Sequence, residues 1–147
     1  MSYKVAIVTG AAAGIGAACA RRLSQDGVAV GVLDLDEARC ADTVKAISDA
    51  GGKAIALGAD VSKRDQVVAA VEKLRDAFGP VTIVVNNAGV TDFTPFEDIT
   101  DDRWDFVYAV NVRGPMILTQ VVLPDMKAAA WGRVVNISSS SAQTGAV

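Results

Sequence analysis

The chain has 147 residues, 51% of them apolar, and a formal net charge of −3. That length suits one domain, and the apolar share is enough to bury a core. The acidic balance, with no block of basic residues, argues against a general nucleic-acid or anionic-membrane binder, so neither partner is expected.

The opening "MSYKVAIVTG" lacks the charged region, long apolar region and small-residue cleavage site of a signal peptide. No apolar run reaches the length of a membrane span. Cys19 and Cys40 stand at unrelated positions and there is no His, so no metal-ligating set is expected. Both thiols read as buried, reduced small hydrophobes in a cytoplasmic protein.

Strands and helices alternate along the chain. "YKVAIVTG" is a short apolar run ended by a glycine and reads as a buried strand. From Gly14 to Asp26, Ile15, Cys19 and Leu23 recur at helical spacing, and Gly27 closes that helix. "VAVGVLD" is a second strand. Asp36 N-caps a helix over roughly Glu37 to Ala50, and Gly51-Gly52 ends it. "KAIALGAD" is a third strand. Ser62 is placed as the N-cap of the next helix, whose stripe is Val67, Val71, Leu74 and Phe78, with Gly79-Pro80 as the stop. "VTIVVNNAG" is a fourth strand. A polar loop from Thr91 to Asp102 leads into a long helix through about Lys127, and "GRVVNIS" is a fifth strand.

Strands apolar on both faces, alternating with helices, imply a parallel sheet covered on both sides. Right-handed crossovers make this an α/β, Rossmann-type doubly wound sheet, with residues 1–147 as a single dinucleotide-binding domain. In such a sheet ligands bind outside the carboxyl ends of the strands. Attention falls on Thr9–Gly16, Asp34, Asp60-Val61, Asn86–Gly89 and Ser138–Ser141.

In "TGAAAGIG", Gly10 ends a strand while Gly14 and Gly16 open a helix. Absent side chains let a pyrophosphate approach the backbone, and the free N–H groups and dipole of the helix start favour an anion. The spacing G-x-x-x-G-x-G departs from G-x-G-x-x-G, and a plain tight turn is the alternative. Asp34 follows Gly16 by 18 residues and suits the ribose hydroxyls of an adenosine, the alternative being a turn residue. Its carboxylate would repel a 2′-phosphate. No Arg or Lys lies between Gly10 and Gly16, and Leu35 follows Asp34, so nothing local offers a phosphate a cation. NAD(H) is therefore expected over NADP(H).

The ordered set "TGAAAGIG", "DV" at Asp60-Val61, "NNAG" at Asn86–Gly89, Asn111 and "VVNISS" resembles the classical short-chain dehydrogenases/reductases over essentially all 147 residues. The stretch from "NNAGVTDF" to "VNVRGP" looks most like the ketoacyl-reductase and sugar- or secondary-alcohol-dehydrogenase members. The resemblance implies hydride transfer between NAD(H) and a small-molecule secondary alcohol or ketone in a homo-oligomer. It places Gly10, Gly14, Ile15 and Gly16 on the pyrophosphate, Asp34 on the ribose, and Asp60 and Val61 at the adenine. It sets Asn87, Ala88 and Gly89 along the cofactor, with the Asn86–Gly89 segment also tying strands together; for Asn86 and Asn87 a purely structural role stays open. Asn111 would open its helix locally and hold a water of a proton relay; a helix-interior hydrogen bond is its alternative. Ser139 would polarise the substrate oxygen, with Ser138, Ser140 and Ser141 as competing assignments.

A serine needs a base or proton-relaying partner. The family pairs it with a Tyr and with a Lys four residues on, about a dozen residues after the serine. Here Tyr3 is followed four later by Ile7 and Tyr108 by Val112, so neither makes that pair. Against the family pattern the fold reads as truncated after the fifth strand. That leaves an open sheet edge, and a helix face carrying Phe106, Val110, Ile117, Leu118, Val121 and Val122 only partly covered. The 147-residue chain alone is then expected to be inactive. Thr91, Asp92 and Phe93 are placed as one wall of the substrate pocket. Two other readings remain: a non-catalytic dinucleotide-binding or interaction module ending at Val147, and a methyltransferase, against which "NNAG" and "VVNISS" argue.

Overall fold

A computed structural model of the chain describes residues 4–140. Five strands, β1 (Val5–Thr9), β2 (Ala29–Asp34), β3 (Ala54–Gly58), β4 (Ile83–Asn86) and β5 (Arg133–Asn136), form one parallel sheet in the order β3-β2-β1-β4-β5. The helices between them are α1 (Gly14–Gln25), α2 (Ala41–Asp49), α3 (Arg64–Phe78), α4 (Asp101–Tyr108) and α5 (Gly114–Ala128). The order reverses between β1 and β4, where a doubly wound sheet leaves its ligand crevice.

The strands are apolar throughout because each face meets a different helix pair. On β1, Val5 and Ile7 enter a cluster with Leu74 of α3 and Leu118 of α5. Ala6 and Val8 point the other way, into a cluster with Ala20 of α1 and Ile47 of α2. Each such fully buried Leu or Ile contributes about 1.5–3 kcal/mol. Gly31 of β2 is required by this packing, since a Cβ there would lie 2.7 Å from a Leu74 methyl. Asp125 of α5 locks the second layer: its Oδ2 accepts from Arg75 Nε of α3 and from the Val81 N–H, each at 2.9 Å.

Several local expectations are corrected. The residue before α3 is Lys63, and no side chain caps that helix. Ser62 instead donates its N–H to Asp60 Oδ1 at 2.8 Å, so it belongs to the turn made by Asp60. Asp36 does cap, accepting from Ala38 N–H, but the segment it starts, Glu37–Cys40, is a 3₁₀ turn before α2 begins. Cys40 is buried as expected while Cys19 is only half-buried.

The long helix is three pieces, α4, a π-helical segment Ala109–Arg113, and α5. Thr100 caps its start. Within Asp101–Ala128 an 18-residue window has a mean hydropathy of 1.3, so by length and composition alone this helix could cross a bilayer, contrary to the expectation that no stretch is long and apolar enough. Ile117, Leu118, Val122 and Met126 are nevertheless buried in the core cluster on one face of the sheet, as in a core helix. Of the expected bare face, Ile117, Leu118 and Val122 are therefore buried, Val110 and Val121 are partly buried against the same cluster, and Phe106 is exposed. The residues of β5, at the sheet edge, are exposed as well.

Candidate active site

The carboxyl ends of β1 and β4 are joined by one buried hydroxyl. Thr9 Oγ1 accepts from the N–H groups of Asn87 and Ala88 at 3.0 and 2.9 Å. Asn87 answers with Nδ2, donating to the carbonyls of Thr9 at 3.0 Å and Gly10 at 3.2 Å. The side chain of Asn86 donates to Asn136 Oδ1 at 2.8 Å, extending the β4–β5 pairing beyond the backbone. Asn86 and Asn87 thus both tie strands together. The sequence reading missed Asn136 as a partner, although "NN" and "VVN" at the ends of two neighbouring strands were a usable signal.

The glycine turn is shaped for something to sit on it. Gly10 and Gly14 have φ of +62° and +57°, a region L side chains rarely adopt. Gly16 is needed for close packing, because a Cβ there would run into the Gly10 carbonyl and lie 2.6 Å from Asn87 Nδ2. Helix α1 starts at Gly14 with no side-chain cap and no acidic residue in its first turn. Its first N–H groups are therefore available to an anion. Ile15 is exposed beside them. Thr43, buried on α2, holds the turn from behind by donating to the Ala12 carbonyl at 3.1 Å.

Next to this turn is a cavity of about 390 Å³, lined in part by Gly10, Asp34, Asp60, Val61, Ala88 and Gly89. Asp34 Oδ2 accepts from the Ala12 N–H at 3.3 Å, and Oδ1 from the Leu35 N–H at 2.9 Å. Asp60 is oriented by two contacts: its Oδ1 takes the Ser62 N–H, and its own N–H donates to Gln66 Oε1 at 2.8 Å. Arg39 also lines this cavity, with Nη1 3.3 Å from Asp34 Oδ1. That corrects the statement that nothing local offers a cation. The 3₁₀ turn after β2 folds Arg39 back onto the end of the strand, a proximity that spacing alone did not reveal.

A second cavity, about 590 Å³, brings Asn111 and Ser139 together with Asn87, Ala88, Gly89 and Val90. Ala88, Gly89 and Val90 line both cavities, so the two share one wall. Asn111 lies within the π segment and makes no helix-interior bond with its side chain. Its Oδ1 accepts from Val90 N–H and its Nδ2 donates to the Val90 carbonyl. The wider turn is a local opening of the helix, a form frequent at functional sites. Ser138 lines this cavity beside Ser139, Ser140 is not among its lining residues, and Ser141 lies outside the described residues.

Of the expected pocket wall, only Thr91 lines the cavity. Asp92 faces Arg103 of α4, which donates from Nε at 2.6 Å and from Nη2 at 3.0 Å. The guanidinium, with the Thr94 contacts, holds the Asp92 carboxyl well below the usual carboxylate range. Phe93 is exposed. Tyr108 stacks on Trp104 at 5.2 Å and lines neither cavity, and Tyr3 lies outside the described residues.

The family model described as short chain dehydrogenase matches residues 4–147. The chain is 43% identical over 137 residues to an uncharacterized oxidoreductase of Methylorubrum extorquens, covering 92% of this chain and 54% of that protein. It is 36% identical over 146 residues to galactitol 2-dehydrogenase of Agrobacterium fabrum, covering 99% and 56%. A crystal structure of a metagenomic short-chain oxidoreductase in complex with NADP superposes with a TM-score of 0.88 at 38% identity, covering 94% of this chain and 62% of that one. The chain thus spans about half the length of the relatives it matches.

Proposed function

The chain belongs to the short-chain dehydrogenase family, and from that premise we propose that it serves hydride transfer between NAD(H) and a secondary alcohol or ketone. The observation that carries this reading is the pair of cavities sharing the Ala88–Val90 wall, one ending at Asp34 and Asp60, the other at Asn111 and Ser139. That arrangement suits a long ligand whose two ends do different work. The reacting end of the dinucleotide, when bound, supplies the hydride acceptor or donor.

In this reading the chain's own groups divide the task. The α1 N–H groups and the side-chain-free surface of Gly10, Gly14 and Gly16 hold the pyrophosphate, with Ile15 beside it. The Asp34 carboxylate accepts from ribose hydroxyls. Asp60 has one oxygen engaged by Ser62 and the other available to an adenine amino group, with Val61 against the ring. Asn87, Ala88 and Gly89 run along the ligand. Ser139 donates a hydrogen bond to the substrate oxygen, stabilising the charge that develops there. In this reading Asn111, in the π segment and beside Ser139 in the second cavity, holds the water of a proton relay. Galactitol 2-dehydrogenase, by its name, acts at a secondary hydroxyl, which supports this substrate class for the chain. Tyr108 stacks on Trp104 and lines neither cavity, so it is not the acid–base residue of the reading.

The test is binding and turnover by the full-length polypeptide. NADH should bind more tightly than NADPH. Ser139→Ala should keep NADH binding and lose about 2.7–4 kcal/mol of transition-state stabilisation, the usual cost of one such donor. Absence of binding to either dinucleotide overturns the reading. Full turnover in Ser139→Ala with loss in Ser138→Ala moves the role by one residue.

A further inference from the structure

We propose that Arg103 is a positioning residue for substrate. By gripping Asp92 it fixes Thr91 as a wall of the second cavity, and so sets affinity for the alcohol or ketone without touching the dinucleotide. The inference rests on the dehydrogenase reading above and deepens it.

From Asn87 to Pro95 the chain forms neither strand nor helix. Side chains hold it instead. Asn111 engages both the N–H and the carbonyl of Val90. Arg103 engages both oxygens of Asp92, Nε donating to Oδ2 at 2.6 Å and Nη2 to Oδ1 at 3.0 Å, the paired geometry that suits a planar guanidinium. Asp92 Oδ1 also accepts from the Thr94 N–H at 2.9 Å, which shapes the turn that follows. Thr91 lies between these two grips and lines the cavity that holds Asn111 and Ser139. Both grips come from one helical run, Arg103 from α4 and Asn111 from the π segment that continues it.

The place of Arg103 on its helix is a second observation. It lies in the first turn of α4, where the Thr100 hydroxyl accepts its N–H. That end of a helix favours acids, which Asp101 and Asp102 supply, and disfavours a cation. Arg103 thus stands against the preference of its own helix, and Asp92 is the charge it meets. The Asp92 side chain is 18% exposed and that of Arg103 53%. An ion pair this open adds little to global stability. Its effect is local, on where residues 91–94 sit. Neither Thr91 nor Asp92 lines the cavity of Asp34 and Asp60, and the shared Ala88–Val90 wall keeps its own tie to Asn111. Releasing Asp92 therefore loosens the substrate side alone.

The experiment uses the full-length protein with saturating NADH and a panel of butanone, cyclohexanone and ethyl acetoacetate, carrying through the ketone that wild type reduces best. Arg103→Gln should raise KM for that ketone about 10-fold, the loss expected when a charge-assisted contact is released, with kcat and the NADH dissociation constant little changed. Arg103→Lys should recover part of the loss, because the charge is kept and the fork is lost. Asp92→Asn should raise KM as well, and the double variant should be no worse than either single one. Amide exchange, which needs no substrate, should quicken at Thr94 in Arg103→Gln while Val90 stays protected. Wild-type KM in both single variants, or wild-type exchange at Thr94, overturns the role of Arg103. An equal loss of NADH affinity, or a fall confined to kcat, overturns it too. Should Arg103→Gln not fold, Asp92→Asn is judged by the same outcomes. If wild type binds neither NADH nor NADPH, the dehydrogenase reading fails and this role falls with it.

Discussion

Asn111 and Val90 exchange two hydrogen bonds, the Val90 N–H donating to Oδ1 at 2.9 Å and Nδ2 donating to the Val90 carbonyl at 2.8 Å. One side chain thereby does what a neighbouring strand would do for the loop after β4. The contact holds the shared wall of the two cavities against the π segment.

Asn111→Ala should release that wall. Two hydrogen bonds at a solvent-reachable position are worth about 1–2 kcal/mol together. The expected result is a fall of that size in urea-unfolding free energy, with faster amide exchange at Val90. Undiminished protection of the Val90 amide would show that the loop is held by something else.

Thr9→Val keeps the shape of the side chain and removes the oxygen. The N–H groups of Asn87 and Ala88 then lose their acceptor at a residue only 2% exposed. Each unpaired buried donor costs about 1–3 kcal/mol, so a loss of about 2–5 kcal/mol is expected. Thr9→Ser should recover most of it. Equal stability of the Val and Ser variants, measured by chemical denaturation, would remove the hydroxyl from the account.

Gly16→Ala adds a methyl against the Gly10 carbonyl and Asn87 Nδ2. Overpacking of this kind costs about 1–3 kcal/mol. The start of α1 would have to move away from β1, so dinucleotide affinity should fall as well. Calorimetric titration should find weaker binding in a protein with a lowered melting temperature. Wild-type affinity in this variant would mean that the turn adjusts freely.

The Asp92–Arg103 pair makes a pH prediction. The carboxyl is depressed in the folded protein, so its stabilising contribution is present in full above the ordinary Asp value of about 3.9. It is lost only as pH falls toward the lower folded value. A carboxyl NMR titration of Asp92 should still find it ionised at pH 3, and Arg103→Gln should move its midpoint up. A midpoint near the ordinary value in wild type would show that the pair does not persist in solution.

Much of the architecture is legible because it is written in local terms. The alternation of apolar runs with helical stripes identified all five strands, and the glycine spacing located the turn before α1. Asn111 drew attention because an Asn is a poor interior helix residue, and it lies in a π segment. What escaped depends on long-range or conformational detail. Ser62 falls inside the turn that Asp60 makes, which carries the chain one residue further, to Lys63, before α3 begins. Arg39 is not legible as a neighbour of Asp34, because only the 3₁₀ turn brings this residue, five positions on, back to the strand end. The pairing of Asp92 with Arg103 is not legible, because nothing in the sequence announces a partner 11 residues away.

The Thr9–Asn87 junction also has a consequence for how the molecule folds. Its hydrogen bonds close a loop of 78 residues, and the β1–β4 register Ala6↔Ile83, Ile7↔Val84, Val8↔Val85 closes with it. Strands β1, β2 and β3 can associate from the first part of the chain, but both cavities need the segment after β4. Ligand can therefore stabilise only a state in which this distant closure has occurred. It should slow unfolding while leaving the earliest collapse untouched, because long-range pairing carries the entropic cost of closure before any site exists to reward it.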